Sequence, residues 1–102
     1  MKEIWIEAEE WSSDYDIFDE NTDVIVKLED ETKWVASFFT YKNILSLKNK
    51  NEATSECLNG KYFWASDMLL IEEISRETIT KVVTQLLTNG EFWRVFKKNE
   101  LK

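Results

Sequence analysis

Carboxylates are the groups best placed to do chemistry in this chain. Asp14-Tyr-Asp16, Asp19-Glu20 and Asp23 put oxygen ligands at alternate positions, as a calcium loop does. The match fails in detail: Phe18 stands where the third ligand belongs, and no glycine supplies the sharp turn. A solvated acidic loop fits the same residues. Asp67 is an acid of another kind, set inside the apolar stretch Tyr62-Phe-Trp-Ala-Ser-Asp-Met-Leu-Leu-Ile71. Buried there, it needs a partner such as Arg76 or Lys33, or else it sits at a bulge and bonds local amides. Cys57, beside Glu56 in a polar segment, is a poor setting for a nucleophile.

The missing residue types exclude more than the present ones suggest. There is no histidine, which removes Ser-His-Asp and Cys-His schemes and every His-based zinc site. A single cysteine builds neither a thiolate metal site nor an internal disulfide. No glycine-rich phosphate loop or Walker-type Lys-Ser/Thr pair occurs. A pair of carboxylates for glycoside hydrolysis could be drawn from 20 acids in many ways, so such a pair carries no information. An enzyme would have to work with carboxylates, Tyr, Lys or an acquired metal. The expectation is a protein that is not an enzyme and has no cofactor and no metal.

What remains is charge. Residues 1–31 carry twelve carboxylates against Lys2 and Lys27, a net of −10 within a chain whose total is −7. Such a pole attracts basic partners and repels polyanions, so a basic protein is the expected partner and nucleic acid is not. The expected surface comprises Glu9, Glu10, Asp14, Tyr15, Asp16, Asp19 and Glu20, with Trp11 as the aromatic anchor. The same acids could serve only to keep the domain in solution. A second arrangement is a small-ligand pocket lined by Trp34, Tyr41, Tyr62 and Trp64 near Asp67, although a hydrophobic core would use those rings equally well. Arg94, Lys97, Lys98 and Lys102 form a basic C-terminal patch beside Trp93 that could face the acidic third, within a monomer or across a homodimer.

The elements that must position these groups follow from pattern. Ile4, Ile6 and Ala8 alternate with Trp5, Glu7 and Glu9, the period of a half-buried strand. Ser12 to Asp23 reads as a loop pinned by Tyr15, Ile17 and Phe18. Val24 to Leu28 is rich in β-branched residues and predicts a strand. A turn at Glu29–Thr32 leads into a second strand, Lys33–Thr40, apolar on both faces and therefore central. Thr40 caps a short helix over Tyr41–Lys48, followed by a polar loop to Gly60. Lys61–Glu73 predicts a long buried strand interrupted near Ser66-Asp67.

Ser75 is an N-cap, and Ile79, Val82, Val83, Leu86 and Leu87 trace one helical face up to a stop at Gly90. A last helix, Glu91–Lys98, would turn Phe92, Trp93 and Phe96 to the core. The sum is a single α+β domain: an antiparallel sheet of about four strands with two or three helices packed on one face.

No apolar run approaches the ~20 residues of a membrane span, and the N-terminus lacks the pattern of a signal peptide. With one cysteine, a cytoplasmic setting is expected and no membrane contact. Trp34-Val-Ala-Ser-Phe-Phe-Thr-Tyr41 and Gly60-Lys-Tyr-Phe-Trp-Ala-Ser-Asp-Met-Leu-Leu-Ile71 resemble a family of small uncharacterised bacterial cytoplasmic proteins. In size, acidity and α+β pattern the chain is also similar to immunity proteins of bacterial toxin systems. That likeness implies a protein partner and assigns no residues.

Overall fold

The computed structural model describes residues 1–11 and 14–99. The elements run β1 (Glu3–Ile6), a 3-10 turn (Glu7–Glu10), β2 (Asn21–Lys27), β3 (Lys33–Thr40), α1 (Tyr41–Thr54), α2 (Cys57–Gly60), β4 (Met68–Ile71), α3 (Arg76–Asn89), α4 (Phe92–Val95) and β5 (Lys97–Lys98). The fold is α+β, as the pattern predicts. Among the described residues, no helix is long and apolar enough to cross a membrane.

Five strands form one sheet in the order β1-β2-β3-β4, with β5 also beside β3. The β2–β3 hairpin is antiparallel with Val24 opposite Ala36, and β1 lies antiparallel to β2 with Ile4 opposite Val26. β4 instead runs parallel to β3, Phe38 opposite Leu69 and Thr40 opposite Ile71. A parallel pair needs a crossover of a dozen or more residues, which α1 and α2 provide. Apolar alternation does not encode strand direction, so this pairing was hidden.

The core lies on one face of the sheet. Ile4, Ile6, Val24, Val26, Ala36, Phe38 and Ile71 point to it, and α3 covers it with Ile79 and Val83. Each such side chain contributes roughly 1.5–3 kcal/mol when fully buried. Ser75 caps α3 by accepting from the Thr78 N–H, and Gly90 ends it in the left-handed conformation, as its sequence predicts. Phe92 and Phe96 stack at 4.4 Å beneath α3 and close the core.

Several segments differ from expectation. β1 ends at Ile6, and Glu7–Glu10 form a 3-10 turn where the alternation ran on to Glu9; β2 begins at Asn21, inside the expected loop. The helix capped by Thr40 does not stop at Lys48 but continues to Thr54, where Ser55 closes it in the left-handed region. Its C-terminal half buries Asn51, a polar residue that hydropathy cannot pick out. The expected polar loop then reduces to α2, in which Cys57, Leu58 and Asn59 have φ of 52°, 51° and 58°: one turn of left-handed helix. Gly60 follows at φ 78°, and its Cα approaches α1 so closely that a Cβ would lie 2.7 Å from the Lys48 carbonyl.

The long strand expected over Lys61–Glu73 shrinks to Met68–Ile71. Asp67 adopts φ 53° and turns the chain, and the edge of β3 upstream of Ser37 is already taken by β5, with Lys97 opposite Val35. The last helix ends at Val95 rather than Lys98, because Phe96 turns extended to enter the core and Lys97–Lys98 join the sheet. Trp93 is half exposed, edge-on to Trp34 at 5.1 Å, instead of buried. Helices also occupy both sides of the sheet: Ile44 and Lys48 of α1 share a slot with Met68 and Leu70, whose side chains face away from the core.

Candidate partner-binding surface

The 3-10 turn organises the acidic end. Ala8 is fully buried, and its N–H donates to Thr22 Oγ1 at 2.8 Å, so the turn is nailed to β2 at its centre. That leaves Glu9, Glu10 and Trp11 on the outside. Arg76, at the start of α3, donates to both oxygens of Glu9, with Nη2–Oε1 2.7 Å and Nε–Oε2 2.9 Å. The carboxylate holds the Arg76 guanidinium above its ordinary pKa, chiefly through that hydrogen bond. Glu10 Oε1 accepts from Trp5 Nε1 at 3.3 Å, placing a carboxylate over an indole on the outer face of β1.

Trp11 is 43% exposed and meets Tyr15 edge-on, ring centroids 6.0 Å apart. Tyr15 is half-buried against the core, and its hydroxyl donates to the Ile74 carbonyl at 3.4 Å. Burial, then the charges of Glu9 and Glu20, push the Tyr15 phenol above its ordinary value. Tyr15 is thus a pedestal that fixes the outward Trp11 ring.

The remaining acids divide by task. Asp14 and Asp16 are exposed; Asp16 Oδ1 accepts from the Phe18 N–H at 2.9 Å, and its Oδ2 lies 3.6 Å from Lys42 Nζ. Asp19 is structural. It accepts from Asn43 Nδ2 at 3.0 Å and Ser46 Oγ at 2.8 Å, and these bonds hold its carboxyl below the usual carboxylate range. Glu20 accepts from the Asn21 N–H at 3.2 Å and its own N–H donates to Thr40 Oγ1, so it splices the loop to the α1 cap. Of the expected surface, Glu9, Glu10, Trp11, Asp14 and Asp16 are exposed, whereas Tyr15, Asp19 and Glu20 are partly buried. Phe18, expected to pin the loop, is exposed; Tyr15 pins it, with the Ile17 carbonyl accepting from the Ile74 N–H at 2.7 Å. Ser12 and Ser13 lie outside the described residues.

The alternative ring set does not converge. Trp34 lies on the core face against Phe92, whereas Tyr41 and Trp64 stand exposed, Trp64 at 70%. Tyr62 lines a cavity with Ile44, Phe63, Met68 and Leu70, which Trp34, Tyr41 and Trp64 do not line. Asp67 meets neither Arg76 nor Lys33; its left-handed backbone places its carbonyl to accept from the Ser37 N–H at 2.9 Å, the local role of a bend residue. The slot's members come from α1, the strand approach and β4, and no spacing in the sequence joins them.

Among the described residues no group of three or more His, Cys, Asp or Glu side chains converges as a metal site. The basic C-terminal patch is dispersed: Arg94 lies on α4, while Lys97 and Lys98 sit in β5 with Lys98 near enough to Asp30 to favour its charge; Lys102 is outside the described residues. Comparison with family models, with curated proteins and with solved structures returns no match for this chain.

Proposed function

We propose that this is a cytoplasmic protein-binding module, not an enzyme, that engages a basic partner through its acidic N-terminal third. One observation carries the reading: Trp11 stands exposed edge-on to a half-buried Tyr15, with Glu10 before it in sequence and Asp14 and Asp16 after it. A rigid aromatic anchor within a field of one sign is what fast, specific recognition of a cationic surface requires. The likeness in size, acidity and pattern to immunity proteins points the same way. Asp19 and Glu20 serve as the frame, since their carboxylates are committed to intramolecular bonds.

Capture from a lysate of the source organism tests the reading. The tagged protein retains one dominant basic protein at about 0.1 M salt and releases it at about 1 M, where the Debye length falls from about 10 to about 3 Å. Retention that ignores both salt and the substitution Trp11→Ala contradicts it.

A further inference from the structure

A second feature of the molecule, remote in sequence from the acidic end, has the shape and chemistry of a ligand site. The slot between α1 and β4 has a volume of about 210 Å³ and is walled by Ile44, Tyr62, Phe63, Met68 and Leu70. Phe63 packs edge-on against the buried Phe39 at 5.6 Å. Tyr62, Met68 and Leu70 are nevertheless exposed, which leaves apolar surface in a concavity that nothing among the described residues fills.

The ionisable side chains that line this slot are two lysines and a tyrosine. Lys48 and Lys61 line it, and no carboxylate does. The Lys48 ammonium is committed to Glu52 at 2.7 Å. Lys61 makes no ion pair among the described residues, and its backbone is held in place, its N–H donating to the Cys57 carbonyl at 3.0 Å and the Leu58 carbonyl at 3.3 Å. Those carbonyls belong to the left-handed turn, where three consecutive non-glycine residues each sit in a conformation costing roughly 1–2 kcal/mol. Strain of this kind persists where the surroundings enforce it, and it concentrates at ligand sites. Here its product is a lysine whose backbone is anchored beside an apolar slot, in a protein that is otherwise strongly acidic.

We infer that the slot binds a small amphipathic carboxylate, a short acyl or aryl acid, with its apolar body against Ile44, Tyr62 and Leu70 and its carboxylate on the Lys61 ammonium. The volume lies below the roughly 300–1,000 Å³ of drug-sized sites, so the ligand is a single ring or a short chain. This inference is independent of the acidic surface and stands or falls without it.

Octanoate serves as the probe, with 1-octanol as its uncharged counterpart, each titrated into the isotope-labelled protein and followed by two-dimensional NMR. Octanoate shifts the Lys61 amide and the Ile44 and Leu70 methyls together and saturably, with a dissociation constant of about 1 mM, the scale expected for a ligand of this size. Lys61→Gln weakens octanoate about fivefold or more while leaving octanol unchanged, because only the charge-assisted contact is lost. Leu70→Gln, at an exposed position, weakens both. Unsaturable shifts, shifts centred elsewhere, or equal binding of octanoate to wild type and Lys61→Gln each overturn the inference. Unchanged thermal midpoints of the two variants establish that the fold is intact.

Discussion

Arg76 and Glu9 form a two-point ion pair across 67 residues of chain, Nη2–Oε1 2.7 Å and Nε–Oε2 2.9 Å, while Arg76 Nη2 also donates to the Ile4 carbonyl at 3.0 Å. One guanidinium thereby fastens the 3-10 turn to both β1 and the start of α3. Both side chains are about half exposed, so solvent screening limits the pair to about 1 kcal/mol or less. Glu9→Gln is expected to lower the thermal midpoint by a few degrees at most. It should also leave capture of a basic partner almost intact, because Glu9 is already neutralised. Joint neutralisation of Glu10, Asp14 and Asp16 should abolish capture, with the thermal midpoint of the triple variant measured alongside to separate binding from stability. Equal effects of the two changes on binding would show that only total charge matters.

The two glycines separate two physical effects. Both have positive φ, Gly60 at 78° and Gly90 at 80°, but a Cβ on Gly90 meets nothing within 4 Å, whereas one on Gly60 lies 2.6 Å from Glu52 Cγ and 2.7 Å from the Lys48 carbonyl. Gly90→Ala should cost about 1 kcal/mol for the backbone alone. Gly60→Ala should cost at least twice that, since the clashing carbonyl belongs to α1 and cannot swing away. Chemical denaturation of the two variants checks the ratio; equal losses would mean that α2 does not pack on α1.

Leu58 is 70% exposed and sits at φ 51°. Leu58→Gly should stabilise the protein by about 0.5–1 kcal/mol, the relief of left-handed strain exceeding the entropy added to the unfolded chain. A loss of stability instead would reveal packing by that side chain.

Acid should loosen the α1 junction. Hydrogen bonds from Asn43 and Ser46 hold the Asp19 carboxyl below its ordinary 3.8. A depressed carboxyl contributes stability above its unfolded pKa and loses it as pH falls through the lower folded value. Asp30 and Glu31 act in the same direction, through Thr32 and through Lys2 and Lys27. The thermal midpoint should therefore decline below about pH 4, and less steeply in Asp19→Asn. An identical acid decline in that variant would remove Asp19 from the account.

Much of the fold was legible because local rules and tertiary packing agree there. Alternation marked β1 as far as Ile6, the β2–β3 hairpin and the buried faces, though it ran on into what is the 3-10 turn at Glu7–Glu10; Thr40, Ser75 and Gly90 marked the starts of α1 and α3 and the end of α3. The rest was hidden for specific reasons. The parallel entry of β4 depends on a crossover and not on its own residues. The continuation of α1 past Lys48 rests on burying Asn51, and the left-handed turn on a close approach at Gly60. At the acidic end, composition located the region but not the division of labour. Asp19 and Asp16 look alike in sequence, yet one is bound by the α1 side chains Asn43 and Ser46, while the other is exposed, accepting from the Phe18 N–H and paired loosely with Lys42.

The most direct test of the central claim is side-by-side capture by three proteins: wild type, Trp11→Ala, and the triple variant Glu10→Gln, Asp14→Asn and Asp16→Asn. A single basic protein should be retained by wild type at about 0.1 M salt, released at about 1 M, and lost from both variants, an anchoring Trp being worth about 2 kcal/mol or more. Retention of the same protein by all three, or by none, would contradict a binding surface at the acidic end.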